Sequence, residues 1–135
     1  MKTNADVAKG FVRKAREDLL SMTGTSGVGA WEGCRFHAQQ VAEKMLKAFL
    51  VTKDRDFPFT HNLEKLLELA AEEDPSFLKF QAAAETLTPY AVELRYDQDR
   101  RATQVTAKEA CAMAKNILRF VHARLPDEVA GPKLR

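Results

Sequence analysis

From Asn4 to Met22 the apolar side chains Ala8, Val12, Ala15, Leu19 and Met22 recur at spacings of 4, 3, 4 and 3, flanked by Val7, Phe11 and Leu20. That is the period of one helix face, and Asn4 offers an N-cap. The run TGTSGVG from Thr23 to Gly29 predicts a connector, because small residues and glycines lose much backbone entropy on ordering. A second helix is predicted from Ala30 to Thr52, with Cys34, Ala38, Val41, Met45 and Ala48 on one stripe widened by Ala42 and Phe49. Phe36, Leu46 and Leu50 fall well off that stripe at about 100° per residue. A helix apolar on two faces is either wholly buried or sets its second face against another chain, and these three residues are read as a dimer interface. Between the faces, His37, Gln40 and Lys44 stand at i, i+3 and i+7 on one polar strip.

Pro58 interrupts the stretch VTKDRDFPFTHN, after which Thr60 or Asn62 caps a third helix to about Ala71 with Leu63, Leu66, Leu67 and Ala70 inward. Asp74 before Pro75 reads as the cap and first turn of a fourth helix. Its positions Phe77, Phe80, Ala84, Leu87, Ala91 and Leu94 hold helical spacing to about Tyr96. The polar run DQDRRATQV, Asp97 to Val105, reads as a loop, and Thr106 with Glu109 as the capping box of a last helix. That helix carries Ala107, Ala110, Cys111, Ala114, Ile117, Leu118 and Val121 on one face. The pattern predicts an all-α, up-and-down antiparallel bundle of four to five helices over residues 1–125, followed by a flexible, frayed tail at 126–135.

Composition adds limits. A chain of 135 residues, 45% hydrophobic and 30% charged, suits one globular domain. With 21 basic against 19 acidic residues, any nucleic-acid contact has to be local. Cys34 and Cys111 fall on apolar stripes without zinc-site spacing and read as reduced core thiols. Asp18, Glu85 and Glu93 give no metal signature, so neither a metal nor a cofactor is expected. The N-terminal residues lack the apolar run of a leader, and no stretch approaches a membrane span, which predicts a cytoplasmic location.

Two places carry candidate binding chemistry. On the second helix, Gln40 can read a base edge, Lys44 can neutralise phosphate, and His37 can do either. Further along, Arg95, Arg100 and Arg101 with Tyr96 form the densest basic cluster that has an aromatic neighbour, a composition suited to phosphate and a stacked base. The expected grip on an anion is led by Arg95, with Lys44 and Arg100.

The words FHAQQVAEKMLKAFL (Phe36 to Leu50), His61 followed by Leu63, Leu66 and Leu67, and YAVELRY (Tyr90 to Tyr96) occur in that order. They resemble the HEPN (higher eukaryotes and prokaryotes nucleotide-binding) family from about Ala5 to Val121. The resemblance implies an antiparallel bundle that dimerises and is often encoded beside a minimal nucleotidyltransferase. Some branches are RNase toxins neutralised by that partner, and others look like nucleotide-binding or accessory domains. The RNase branches carry an Arg, four to six residues and a His near the start of the last long helix, whereas here no His follows Arg95, Arg100 or Arg101 in that window. Arg55 and His61 match the spacing but lie in the connector before the third helix. The resulting expectation is a homodimeric nucleotide- or RNA-associated module, partner of a minimal nucleotidyltransferase and not itself an enzyme. The alternatives are a metal-independent RNase of a toxin-antitoxin pair using Arg55 and His61, or a purely structural helical dimer.

Overall fold

A computed structural model describes residues 1–92 and 101–133 of the chain. Its first helix, α1 (Asn4–Gly27), is capped by Thr3 rather than Asn4: the Thr3 hydroxyl accepts from the Asp6 amide while the Asp6 carboxylate accepts from the Thr3 amide. The expected connector at Thr23–Gly29 is helical as far as Gly27. The hydroxyls of Thr23 and Thr25 donate back to the carbonyls of Leu19, Ser21 and Met22, which accommodates both residues within the helical turn. The chain then reverses over Val28 to Ala30, with Gly29 in the left-handed region at φ 76°.

The returning helix, α2 (Trp31–Thr52), is the centre of the fold. It packs against α1 on one side and against α3 (Leu63–Glu73) and α5 (Gln104–His122) on others. Leu46 and Leu50 are 0% exposed within the single chain, as are Met45 and Ala48 of the first stripe. The two-faced pattern therefore reflects a helix enclosed by its own fold, and the reading of Leu46 and Leu50 as a dimer surface is corrected. Of the three residues assigned to that surface, Phe36 alone is exposed.

The fourth predicted helix is divided into a 3₁₀ turn at Pro75–Phe80, a short α4 (Gln81–Leu87) and a second 3₁₀ turn at Thr88–Ala91 containing Pro89. Thr88 fastens this segment by donating to the Ala84 carbonyl and accepting from the Leu63 amide at the start of α3. At the other end Asp74 accepts from Ser76 and from Arg124, which ties the first turn to the end of α5. Hydrogen bonds from Ser76, then the one from Arg124, hold the Asp74 carboxyl down at about 2. This tie contributes above the unfolded carboxylate range and fades as pH falls toward 2.

Thr103, not Thr106, caps α5, and Thr106 serves as its reciprocal partner in place of Glu109. The aromatic core joins Phe49, Phe77, Phe120 and Phe80, with ring centroids 4.6, 4.9 and 5.0 Å apart in succession. The expected frayed tail is docked as far as it is described. A short α6 (Asp127–Ala130) buries Val129 and Ala130, and Arg16 of α1 donates to the carbonyls of Ala130 and Pro132. The whole is an all-α helical bundle, with no strand among the described residues.

Enclosure of α2 makes a direct prediction. Leu46→Ala should destabilise the fold by about 2–5 kcal/mol in denaturant melts, since it empties space among side chains that cannot fully close. A midpoint within error of the parent protein's would contradict the burial of this residue.

Candidate functional site

The polar strip of α2 is buried at Gln40 and partly exposed at His37 and Lys44. His37 and Lys44 converge on one carboxylate of α1: His37 Nδ1 donates to Asp18 Oδ1 at 2.8 Å and Lys44 Nζ to Asp18 Oδ2 at 2.5 Å. Gln40 is buried and donates to Gln39 Oε1 at 2.6 Å. Gln39 in turn donates to the His61 carbonyl and to Glu43 Oε1. Of the three predicted ligand residues of this helix, His37 and Lys44 are thus brought together on Asp18, while Gln40 joins the neighbouring Gln39 network, each with a polar atom engaged by the protein itself.

Glu43 organises the second half of the network. Its Oε1 accepts from His61 Nδ1 at 2.7 Å and from Gln39, and its Oε2 accepts from Lys47 at 3.1 Å. Glu43 is 3% exposed and Lys47 7%, so their i, i+4 pair lies in the interior and not on a solvated flank. Nearer the start of the helix, the Arg35 guanidinium lies 3.8 Å from the centroid of the Tyr90 ring and donates to Thr106 Oγ1. A buried carboxylate with three donors is satisfied, but one stripped of them is costly.

The spacing match of Arg55 and His61 is not matched by shared partners. Arg55 is forked onto Glu72 and Glu73 at the end of α3, and the bond to Glu72, followed by that to Glu73, raises its already high pKa. His61 instead stands on Glu43 of α2, with its side chain 54% exposed. Of the second predicted cluster, Arg95, Tyr96 and Arg100 lie outside the described residues, and Arg101 is exposed.

A different basic site is present between α1 and α5. An open groove of about 520 Å³ is walled by Thr23, Ser26 and Gly27 on one side and by Lys108, Lys115, Asn116 and Arg119 on the other, with Met22 and Cys111 also lining it. Lys108, Lys115 and Arg119 are exposed, and none has an ion-pair partner among the described residues. At 1.5 Å rise per residue they span roughly 16 Å along the helix, the scale of several consecutive phosphates. The sequence held a signal that was missed: none of these three cations has an Asp or Glu at i±3 or i±4, where a solvated helix commonly pairs its charges. Among the described residues, no group of three His, Cys, Asp or Glu side chains could hold a metal ion, and no helix is long and apolar enough to cross a membrane.

The family model of the HEPN domain matches residues 8–125. The chain belongs to the HEPN family. Its fold is similar to the crystal structure of TT1696 from Thermus thermophilus, with a TM-score of 0.72 and 29% identity over 87% of this chain and 98% of that one. It is also similar to ST0689, an archaeal HEPN homologue, with a TM-score of 0.74 and 23% identity over 92% of this chain and 98% of that one. No curated protein matches. HEPN membership accounts for the bundle and for the order of the three sequence words. The roles of individual side chains rest on the geometry above.

The Glu43 network is expected to be structural. Glu43→Ala should cost about 3–5 kcal/mol, because it leaves Lys47 buried without its carboxylate. Chemical denaturation measures this, and a loss below about 1 kcal/mol would show that solvent already satisfies Lys47.

Proposed function

We propose that this HEPN protein is a binding module for an extended anion, a nucleotide or single-stranded RNA, and not a self-sufficient enzyme. The observation that carries the reading is the α1/α5 groove, in which Lys108, Lys115 and Arg119 present positive charge without an ion-pair partner among the described residues, beside the hydroxyls of Thr23 and Ser26 and the amide of Asn116. Guanidinium and ammonium groups bind phosphate oxygens by charge-assisted hydrogen bonds, and hydroxyl and amide groups add neutral ones. Lys44, tied to Asp18, passes from ligand contact to internal support in this reading. Arg95, Arg100 and Tyr96 stay in the proposal as a further basic segment on the strength of their composition.

The module works as a homodimer beside a minimal nucleotidyltransferase. Family membership supports that arrangement, and Phe36, exposed next to the His37 ring, is the residue of the original interface assignment still available to a second copy. A second reading has one observation in its favour. His61 Nδ1 is fixed by Glu43 while its ring is more than half exposed, the orientation by a carboxylate that a general acid or base requires. Arg55, already saturated by two carboxylates, is poorly placed to hold a scissile phosphate with it.

Fluorescence anisotropy with a short single-stranded RNA, repeated with ATP and GTP as competitors, tests the first reading. Lys115→Ala and Arg119→Ala should each weaken RNA binding by about tenfold. The parent's log–log salt slope should be about −2 if three phosphates are neutralised. Unchanged affinity in both variants would place the ligand elsewhere. For the second reading, His61→Ala should leave RNA cleavage at the parent's level. A fall of about a hundredfold or more would assign His61 an acid-base role and make the chain an RNase.

A further inference from the structure

The two cysteines, separated by 77 positions, meet across the α2–α5 contact, where Cys34 Sγ lies 2.8 Å from Cys111 Sγ. Both are free thiols. A disulfide holds its sulfurs at about 2.05 Å, so closure requires a shift of less than about 1 Å between atoms already in contact. The two positions differ in access: Cys34 is 0% exposed, whereas Cys111 is half-buried and lines the cationic groove between Lys108 and Lys115. One thiol faces a reagent and the other waits behind it. Two cysteines placed only for packing have no need of that order.

We propose that Cys34 and Cys111 are a reversible dithiol–disulfide pair, with Cys111 the thiol that meets solvent-borne oxidant and Cys34 the one that resolves it. The oxidant class that fits is a small anionic disulfide, drawn into the groove by Lys108, Lys115 and Arg119. In the first step Cys111 loses its proton to solvent and its sulfur attacks one sulfur of the reagent. A mixed disulfide forms, the reagent's own S–S bond breaks, and one thiolate leaves to take up a proton as a free thiol. In the second step the Cys34 sulfur attacks the Cys111 sulfur of the mixed disulfide. The second reagent thiolate departs and accepts the proton that Cys34 gives up. Two protein thiols are oxidised, one reagent disulfide is reduced to two thiols, and reduced thiol in excess drives the sequence backward.

Burial, with the neighbouring Cys111 next in effect, pushes the Cys34 thiol up to about 12. It is therefore a poor first nucleophile, and reacts only when the mixed disulfide is delivered onto its sulfur. Closure ties α2 to α5 beside the groove that Cys111 lines.

The full-length protein equilibrated against graded oxidised and reduced glutathione, acid-quenched and alkylated, tests this by intact mass and peptide mapping. The expected result is one Cys34–Cys111 disulfide per chain, reversed by reduced glutathione, with Tm raised by roughly 5–15 °C in the oxidised form. Cys34→Ala should trap glutathione on Cys111, while Cys111→Ala should leave Cys34 unmodified in the folded state. Two alkylatable thiols persisting in the native parent protein under fully oxidising glutathione would overturn the proposal, and so would faster modification of Cys34 than of Cys111. The parent's own oxidised and reduced Tm values keep the test decisive if either variant folds poorly.

Discussion

A helix enclosed on nearly every side must find partners for each polar group it carries inward. In this protein that helix is α2, and its interior polar residues are Arg35, Gln39, Gln40, Glu43 and Lys47. Much of the surrounding architecture supplies what they and the neighbouring Lys44 and His37 require. Helix α1 brings Asp18 to His37 and Lys44, the connector before α3 brings both the carbonyl and the imidazole of His61, the second 3₁₀ turn brings Tyr90 to Arg35, and the first turn of α5 brings Thr106. An unsatisfied buried charge costs several kcal/mol, comparable to a large part of a domain's net stability. The network thus specifies how four parts of the chain approach α2, beyond what apolar contact alone would decide.

With the strip of α2 occupied internally, chemistry directed outward has to come from elsewhere. In the proposed reading helix α5 provides it by dividing its surface. Ala107, Ala110, Ala114, Ile117, Leu118 and Val121 are buried, and the opposite side keeps Lys108, Lys115 and Arg119 in water beside the last turns of α1. Extension of α1 to Gly27 matters here, because Thr23, Ser26 and Gly27 form the groove's other wall only as helix. The cysteine pair sits at the same junction, where the apolar and cationic sides of α5 meet.

What the sequence made legible was whatever depends on spacing along one element. The stripe from Cys34 to Ala48, the inward leucines of α3 and the apolar side of α5 all followed from a 3.6-residue period, and the ordered words from Phe36 to Tyr96 pointed to the HEPN fold. What depends on partners distant in sequence was not legible. Asp18 lies 19 and 26 positions from the two groups it holds, and nothing in its own neighbourhood marks it as their acceptor. The off-stripe positions Leu46 and Leu50 fit burial within the fold as well as burial against a second copy, and periodicity cannot separate the two. The helical course of Thr23–Gly27 was masked because glycine and hydroxyl residues favour turns, until back-bonding to carbonyls one turn earlier is taken into account.

In the proposed division of labour the polar strip of α2 supports the fold and the α1/α5 groove meets the ligand. Backbone amide NMR during titration with single-stranded RNA reads both places at once in the unaltered protein. The account predicts shift changes concentrated at Thr23, Ser26, Gly27, Lys108, Lys115 and Asn116, with His37, Gln40 and Lys44 unmoved. Changes concentrated at His37, Gln40 and Lys44, with the groove silent, would contradict it.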